Sequence, residues 1–250
     1  MVGSRRAVLL RCAALIGALS VQPAMAYQPT PNMRVINKLL IEQDLQYGVS
    51  GGKSQLATGL GLIVSSPRDV AMAYLGNEVS ANQKYEGRVV ALRGEALSIQ
   101  AGYGEPFIEF ARSGEWGVRA YFIQSETDKL AKLRRLDPVS VVCKGRGVVM
   151  GVPIFNGCLM ASTWKSAVAS DIRRDVSDFY AGRSSTRAAT LIGVASAAIA
   201  EMVRDDASCS KDEDACSAAM GAFYALTDEQ QADRMHQAIE RLKKAGLKVA

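Results

Sequence analysis

Apolar positions along the chain follow two different periods, and these divide it into helical and extended parts. Residues 33–46 place Val35, Ile36, Leu39, Leu40 and Gln43 at helical spacing, behind an extended segment, 27–32, that holds two prolines. The next stretch, 47–66, is punctuated by glycine and shows no clear period. A second helix is announced by Ser66 as cap, Pro67 at the first helical position and Asp69 in the first turn. Along it Tyr74, Asn77, Ala81 and Tyr85 fall on one face, and Gly87 ends it. Alternation then takes over: 88–99, 106–113 and 116–123 read as strands. Gly94 marks a bulge or bend in the first, and Gly114-Glu115 a hairpin turn between the other two. Residues 125–136 read as a short charged helix with Ser125 as cap and Asp128 three residues on, and two more strands flank Met150-Gly151. Beyond 162 the pattern is helical: 187–206, a stretch near 214–225, and a last helix opened by the capping box of Thr227 and Gln230. Met235, Ile239 and Leu242 form its stripe, Lys243-Lys244 and Gly246 its end. The small residues of 188–200 predict close helix packing.

Three strands, a helix and two more strands are the layout of a five-stranded OB-fold barrel. The predicted class is therefore α+β, a barrel with N-terminal helices and a C-terminal helical extension. The expected division is a signal peptide (1–26), an N-terminal linker and helical segment (27–66), the barrel (67–162) and the extension (163–250).

The first 26 residues change how the rest is read. Arg5, Arg6 and Arg11 precede or interrupt a short apolar core, and Ala24-Met25-Ala26 has the form of a cleavage site, so a cut after Ala26 is expected. The apolar core is too short to span a membrane. The paired arginines resemble a twin-arginine signal, while Arg11 leaves the general route equally open. A periplasmic or secreted protein without a transmembrane segment is implied. The whole chain carries 30 Lys+Arg against 25 Asp+Glu; removing the segment leaves 27 against 25. That small excess does not favour nucleic acid as a partner.

Four cysteines remain: Cys143, Cys158, Cys209 and Cys216. In an exported chain an even number points to disulfides, and chain order favours the two local pairs. Cys143 and Cys158 lie symmetrically about Met150-Gly151, which sets them opposite one another if those residues form a hairpin turn. Cys209 and Cys216 would be too far apart on one continuous helix, so the chain must turn between them if they pair.

Candidate chemistry is sparse. Gly52-Lys53-Ser54 lacks the glycine that a phosphate-binding loop needs at position 47, which is Tyr47. The acidic group Asp205, Asp206, Asp212, Glu213 and Asp214 lacks the spacing and central glycine of a calcium loop, so no metal is expected. His236 has no serine, cysteine or acid motif around it. No cofactor and no enzymatic activity are indicated. An OB barrel binds ligands across its second and third strands, which here draws in Tyr103, Arg112, Trp116, Arg119 and Tyr121. Glu105, Glu109 and Glu115 dilute any phosphate-binding field there.

Tyr74, Asn77, Ala81, Tyr85 and Gly87, then Val90, Gly94 and Ile99, then Val139, Val141, Cys143, Gly145 and Cys158, resemble the tRNA-anti-like OB-fold family of exported bacterial proteins over about residues 67–162. The resemblance implies that the helix caps the barrel's end through Tyr74, Asn77 and Tyr85, and it brings no catalytic residues. The expected function is a non-enzymatic binding or scaffold role in the cell envelope, with a protein or envelope partner. The alternative is an oligonucleotide- or oligosaccharide-binding protein that uses the barrel face.

Overall fold

A computed structural model describes residues 27–102, 104–110, 117–203, 205 and 208–249. The signal-peptide reading, Cys12, Asp206, and three of the five ligand candidates (Tyr103, Arg112 and Trp116) lie outside the described residues.

Helix α1 (Pro31–Val49) starts where Thr30 accepts the Met33 amide at 3.2 Å and Pro31 pre-sets the backbone, so the expected linker ends earlier than 32. A short helix, α2 (Gln55–Gly59), fills part of the glycine-punctuated stretch. Ser54 caps it, and the Asp44 carboxylate accepts the Gln55 and Leu56 amides at 3.2 and 2.9 Å as well as the Ser54 hydroxyl. The phosphate-loop look-alike is thus a helix start whose exposed amides are already taken.

Strand β1 (Ile63–Ser65) was not foreseen, because three residues cannot display a period. It adds to the sheet in parallel. The predicted helix from 67 to 85 is two helices, α3 (Pro67–Gly76) and α4 (Glu78–Tyr85). Asn77 is extended between them, and its side chain accepts the Ser80 amide at 3.0 Å to start the second. Asparagine after glycine favours a new N-cap over continuation. Of the three residues expected to anchor the helix, Asn77 is exposed, whereas Tyr74 and Tyr85 are buried.

The barrel is made of β2 (Val89–Gln100), β3 (Phe107–Phe110), β4 (Arg119–Phe122), β5 (Pro138–Val149) and β6 (Val152–Met160). The sheet order is β1-β2-β3-β4-β6-β5, and β5 pairs back onto β2 to close the cylinder. Among the described residues its one parallel pair is β4–β6. The twelve residues of β2 serve three partners: Val89–Glu95 pair with β5, Val90–Leu92 also with β1 on the other edge, and Ala96–Gln100 with β3. The bend between those halves is crowded, since a Cβ on Gly94 would lie 2.9 Å from Pro67. The register irregularity itself falls two residues on, between Ala96 and Ser98.

Between β4 and β5 the expected twelve-residue helix shrinks to a 3-10 turn (Gln124–Glu126) and α5 (Thr127–Leu130), and Ser125 caps neither. The chain must return to the sheet early. The Leu136 amide donates to the Ala96 carbonyl at 2.7 Å, with Leu136 at a φ of 70°, and Asp137 accepts the Arg134 amide.

After β6 the chain passes straight into α6 (Ala161–Tyr180), followed by α7 (Arg187–Ala200), α8 (Ser208–Lys211), α9 (Glu213–Tyr224) and α10 (Asp228–Lys244). The helix expected over 187–206 therefore ends at Ala200. The capping box of α10 is formed as read, by Thr227 and Gln230. These helices share one core with α1, through Ile36, Ile41, Leu45, Phe179, Ile199, Phe223 and Leu242. Close packing of the small-residue run is literal: a Cβ on Gly193 would stand 2.5 Å from the Phe179 ring.

The barrel has its own core, with Tyr85, Leu92, Ile108, Phe110, Phe122 and Phe155 among its members. A third, small cluster of Val49, Ala91, Val142 and Ala161 joins the two bodies. Glu126 fastens the joint. Although only 1 % exposed, it accepts the Met160 amide and the Thr163 hydroxyl, both at 3.1 Å, and pairs with Lys129 at 3.0 Å. It supplies the N-terminal acceptor that α6 lacks from its own cap residue.

Candidate ligand-binding face of the barrel

Alternation along β3 and β4 sorts their residues cleanly. Ile108, Phe110, Ala120 and Phe122 point into the barrel core. Phe107, Glu109, Arg119 and Tyr121 occupy the opposite, outer face, where Phe107 pairs with Tyr121 and Glu109 with Arg119 across the ladder. Ser98 and Gln100 of β2 continue that face beside Glu109 and Phe107.

The outer face is pre-assembled. The Phe107 and Tyr121 rings lie 5.0 Å apart, and the Arg119 guanidinium stands 5.7 Å from the centre of the Phe107 ring. The Arg119 Nε is buried without a hydrogen-bond partner among the described residues. Glu109 is 8 % exposed and engaged. Phe107 is itself only 9 % exposed, so half-buried Arg119 and Tyr121 are the members of this face that a flat, electron-rich group can reach, and the neighbouring carboxylate opposes a run of phosphates.

Of the residues expected here, the structure brings Arg119 and Tyr121 together on adjacent outward positions. Phe107 was missed, although its place two residues before Glu109 in an alternating run carried the signal.

The remaining expected residues among those described lie away from this face. The Tyr85 side chain is fully buried, its hydroxyl 3.1 Å from that of Ser65, and its ring stacks on Tyr74 at 6.2 Å. Burial, reinforced by Glu86 and Glu78, pushes the Tyr74 hydroxyl up to about 12. The helix-to-strand joint is equally tight. The Gly87 amide donates to the Gly145 carbonyl at 2.9 Å, and a Cβ on Gly145 would lie 2.1 Å from the Tyr85 carbonyl oxygen.

Cys143 and Cys158 are bonded inside the barrel core. Met150 and Gly151, both at positive φ, form the turn. One register irregularity between Gly145 and Val148 is undone by another between Val142 and Lys144, which restores the opposition of the two cysteines. Cys209 and Cys216 are bonded across the break between α8 and α9. Asn32 holds that loop by accepting the Cys209 amide at 3.0 Å and donating to the Asp205 carbonyl. In the acidic stretch, Asp212 caps α9 and Glu213 pairs with Lys38 at 2.7 Å. Among the described residues no group of three or more His, Cys, Asp or Glu is placed to hold a metal ion.

The tRNA_anti-like family model matches residues 11–159, more than half of the chain. The chain belongs to the tRNA_anti-like family. The match reaches well ahead of the barrel and takes in α1, α2 and β1. The tRNA_anti-like family is one of OB-fold binding domains, without a catalytic set of its own. Two solved structures are similar in part. One is a candidate nucleic acid-binding lipoprotein of Klebsiella pneumoniae, at 13 % identity and a TM-score of 0.34, covering 39 % of this chain and 91 % of that one. The other is the asparaginyl-tRNA synthetase of Entamoeba histolytica with asparaginyl-adenylate, at 17 % identity and a TM-score of 0.26, covering 39 % and 24 %. No curated protein matches the chain significantly.

Proposed function

We propose that this protein is a non-enzymatic binding or scaffold protein of the cell envelope, exported and cut after Ala26, with a protein or envelope component as partner. The observation that carries this reading is the state of its cysteines. All four beyond residue 26 are joined in two pairs, which is the pattern of a chain matured in an oxidising compartment. No helix among the described residues is long and apolar enough to cross a membrane. Membership of a non-catalytic OB-fold family supports binding over chemistry. The direct test is fractionation of cells expressing the full chain, with mass analysis of the N-terminus and thiol labelling. Periplasmic protein beginning at Tyr27 with no free thiols is expected; cytoplasmic protein with four free thiols would end this reading.

A second reading is favoured by Phe107, Arg119 and Tyr121: single-stranded oligonucleotide or oligosaccharide binding at the outer face. Each stacked base is worth about 1–3 kcal/mol, so Tyr121→Ala should weaken such a ligand by about five- to 150-fold. Titration of the oxidised protein with labelled single-stranded DNA, RNA and envelope glycans at low and physiological salt checks it. Absence of binding at low salt would exclude nucleic acid at this face.

A further inference from the structure

The helical body carries a groove that the barrel does not touch. It has a volume of about 780 Å³ and lies among α1, α2, α7, α9 and α10. Leu40, Leu56, Ile192, Phe223 and Met235 are in its lining. So are Tyr47, Leu191 and Tyr224, which are 65 %, 41 % and 58 % exposed and give it apolar, uncovered walls. Exposed large apolar side chains gathered in one concavity are the usual mark of a binding site, and the volume is that of a small-molecule pocket.

The charges in the lining are unequal. Lys53 and Arg187 are both exposed there, and neither forms an ion pair among the described residues. Asp44 is the acid in the same lining, but its oxygens are spent on the start of α2, where they accept the Ser54 hydroxyl and the Gln55 and Leu56 amides. An apolar trough with two cations outside any ion pair, against one carboxylate already engaged by hydrogen bonds, keeps a net positive charge and complements a molecule with one long apolar part and one negative head.

We propose that this groove binds a single-chain anionic amphiphile, its chain along Leu56, Leu191, Ile192 and Phe223 and its head group at Lys53 and Arg187. The site is separate from the outer face of the barrel and does not depend on what that face binds.

Isothermal titration of the purified oxidised protein with octanoate, decanoate and dodecanoate, each below its micelle concentration, tests the proposal. Dodecyltrimethylammonium serves as the cationic match. Affinity should rise by up to about fourfold per added methylene, and the cationic amphiphile should bind more weakly than dodecanoate. Arg187→Ala and Lys53→Ala should each weaken dodecanoate by about two- to fivefold, an effect that shrinks at high salt. Leu191→Gln should weaken it about tenfold while leaving the melting temperature of this exposed position nearly unchanged. Equal affinity for the two head-group charges, no dependence on chain length, or no binding would overturn it. So would a concentration-dependent dimer by sedimentation that Leu191→Gln dissolves, since a second copy of the chain would then be the occupant.

Discussion

At the scale of single residues, Gly145 and Gly193 leave no room for a side chain, and Tyr74 is buried. Gly145 lies so close to the Tyr85 carbonyl that Gly145→Ala must displace backbone, with a Cβ 2.1 Å from that oxygen. Gly193→Ala would drive a methyl into the Phe179 ring. Each should cost about 1–3 kcal/mol, seen as a lower denaturant midpoint, with the glycine-145 variant the worse because a carbonyl cannot rotate away as a ring can. Tyr74 sets an alkaline limit. Its hydroxyl is held neutral up to about 12 by burial, while in the unfolded chain it ionises near its ordinary value of 10. The unfolded state therefore loses protons first, and stability present below pH 10 declines between about pH 10 and 12. Tyr74→Phe should flatten part of that decline in melts recorded across the range. The burial of Tyr74 and Tyr85 was legible from their helical spacing. The exposure of Asn77 was not, because a residue's fitness as a cap depends on where the backbone breaks, and spacing alone assumes that it does not.

At the scale of elements, caps and turns rather than hydrophobic pattern decide the boundaries. Asn77→Ala should cost about 1 kcal/mol through the lost cap of α4, without loosening the Tyr74–Tyr85 contact. Near-ultraviolet circular dichroism unchanged alongside a lower melting temperature would check both halves of that expectation. The β5–β6 hairpin was readable almost in full: its turn residues, strand alternation and mirrored cysteines all pointed to one register. Two compensating irregularities lie inside it, and they were invisible because each leaves the alternation on either side intact. Replacing Cys143 and Cys158 together by serine should cost about 3 kcal/mol by freeing the enclosed loop, with a further penalty for polar groups in the barrel core. Chemical unfolding of oxidised wild type against that variant gives the number. Segments 47–66 and 125–136 differ from what the sequence pattern predicts for one reason. Their short elements are dictated by partners distant in sequence, Asp44 for α2 and Ala96 for the turn at Leu136.

At the scale of the whole molecule, the N-terminal helix and the C-terminal helices are one body, although the barrel separates them in sequence. Met33, Ile36, Leu40, Ile41 and Leu45 of α1 line the core that α6, α7, α9 and α10 complete. A fragment of residues 163–250 alone should therefore show weak helicity and no cooperative melt by far-ultraviolet circular dichroism. Adding a peptide of residues 27–50 should restore both. Glu126 ties this body to the barrel, and Glu126→Ala should cost about 1–3 kcal/mol by stranding the Met160 amide and the Thr163 hydroxyl.

By itself the sequence determined the order of the five barrel strands, the α+β class and the local cysteine pairs. Those properties follow from periods, caps and turn residues that act within about ten positions of one another. Only the tertiary structure decided that α1 joins the distant C-terminal helices, that β1 extends the sheet, and that Phe107, Arg119 and Tyr121 meet on one face. The same holds for the groove beside Lys53 and Arg187. Such arrangements depend on contacts between segments far apart in the chain, and no local pattern encodes which apolar face will meet which.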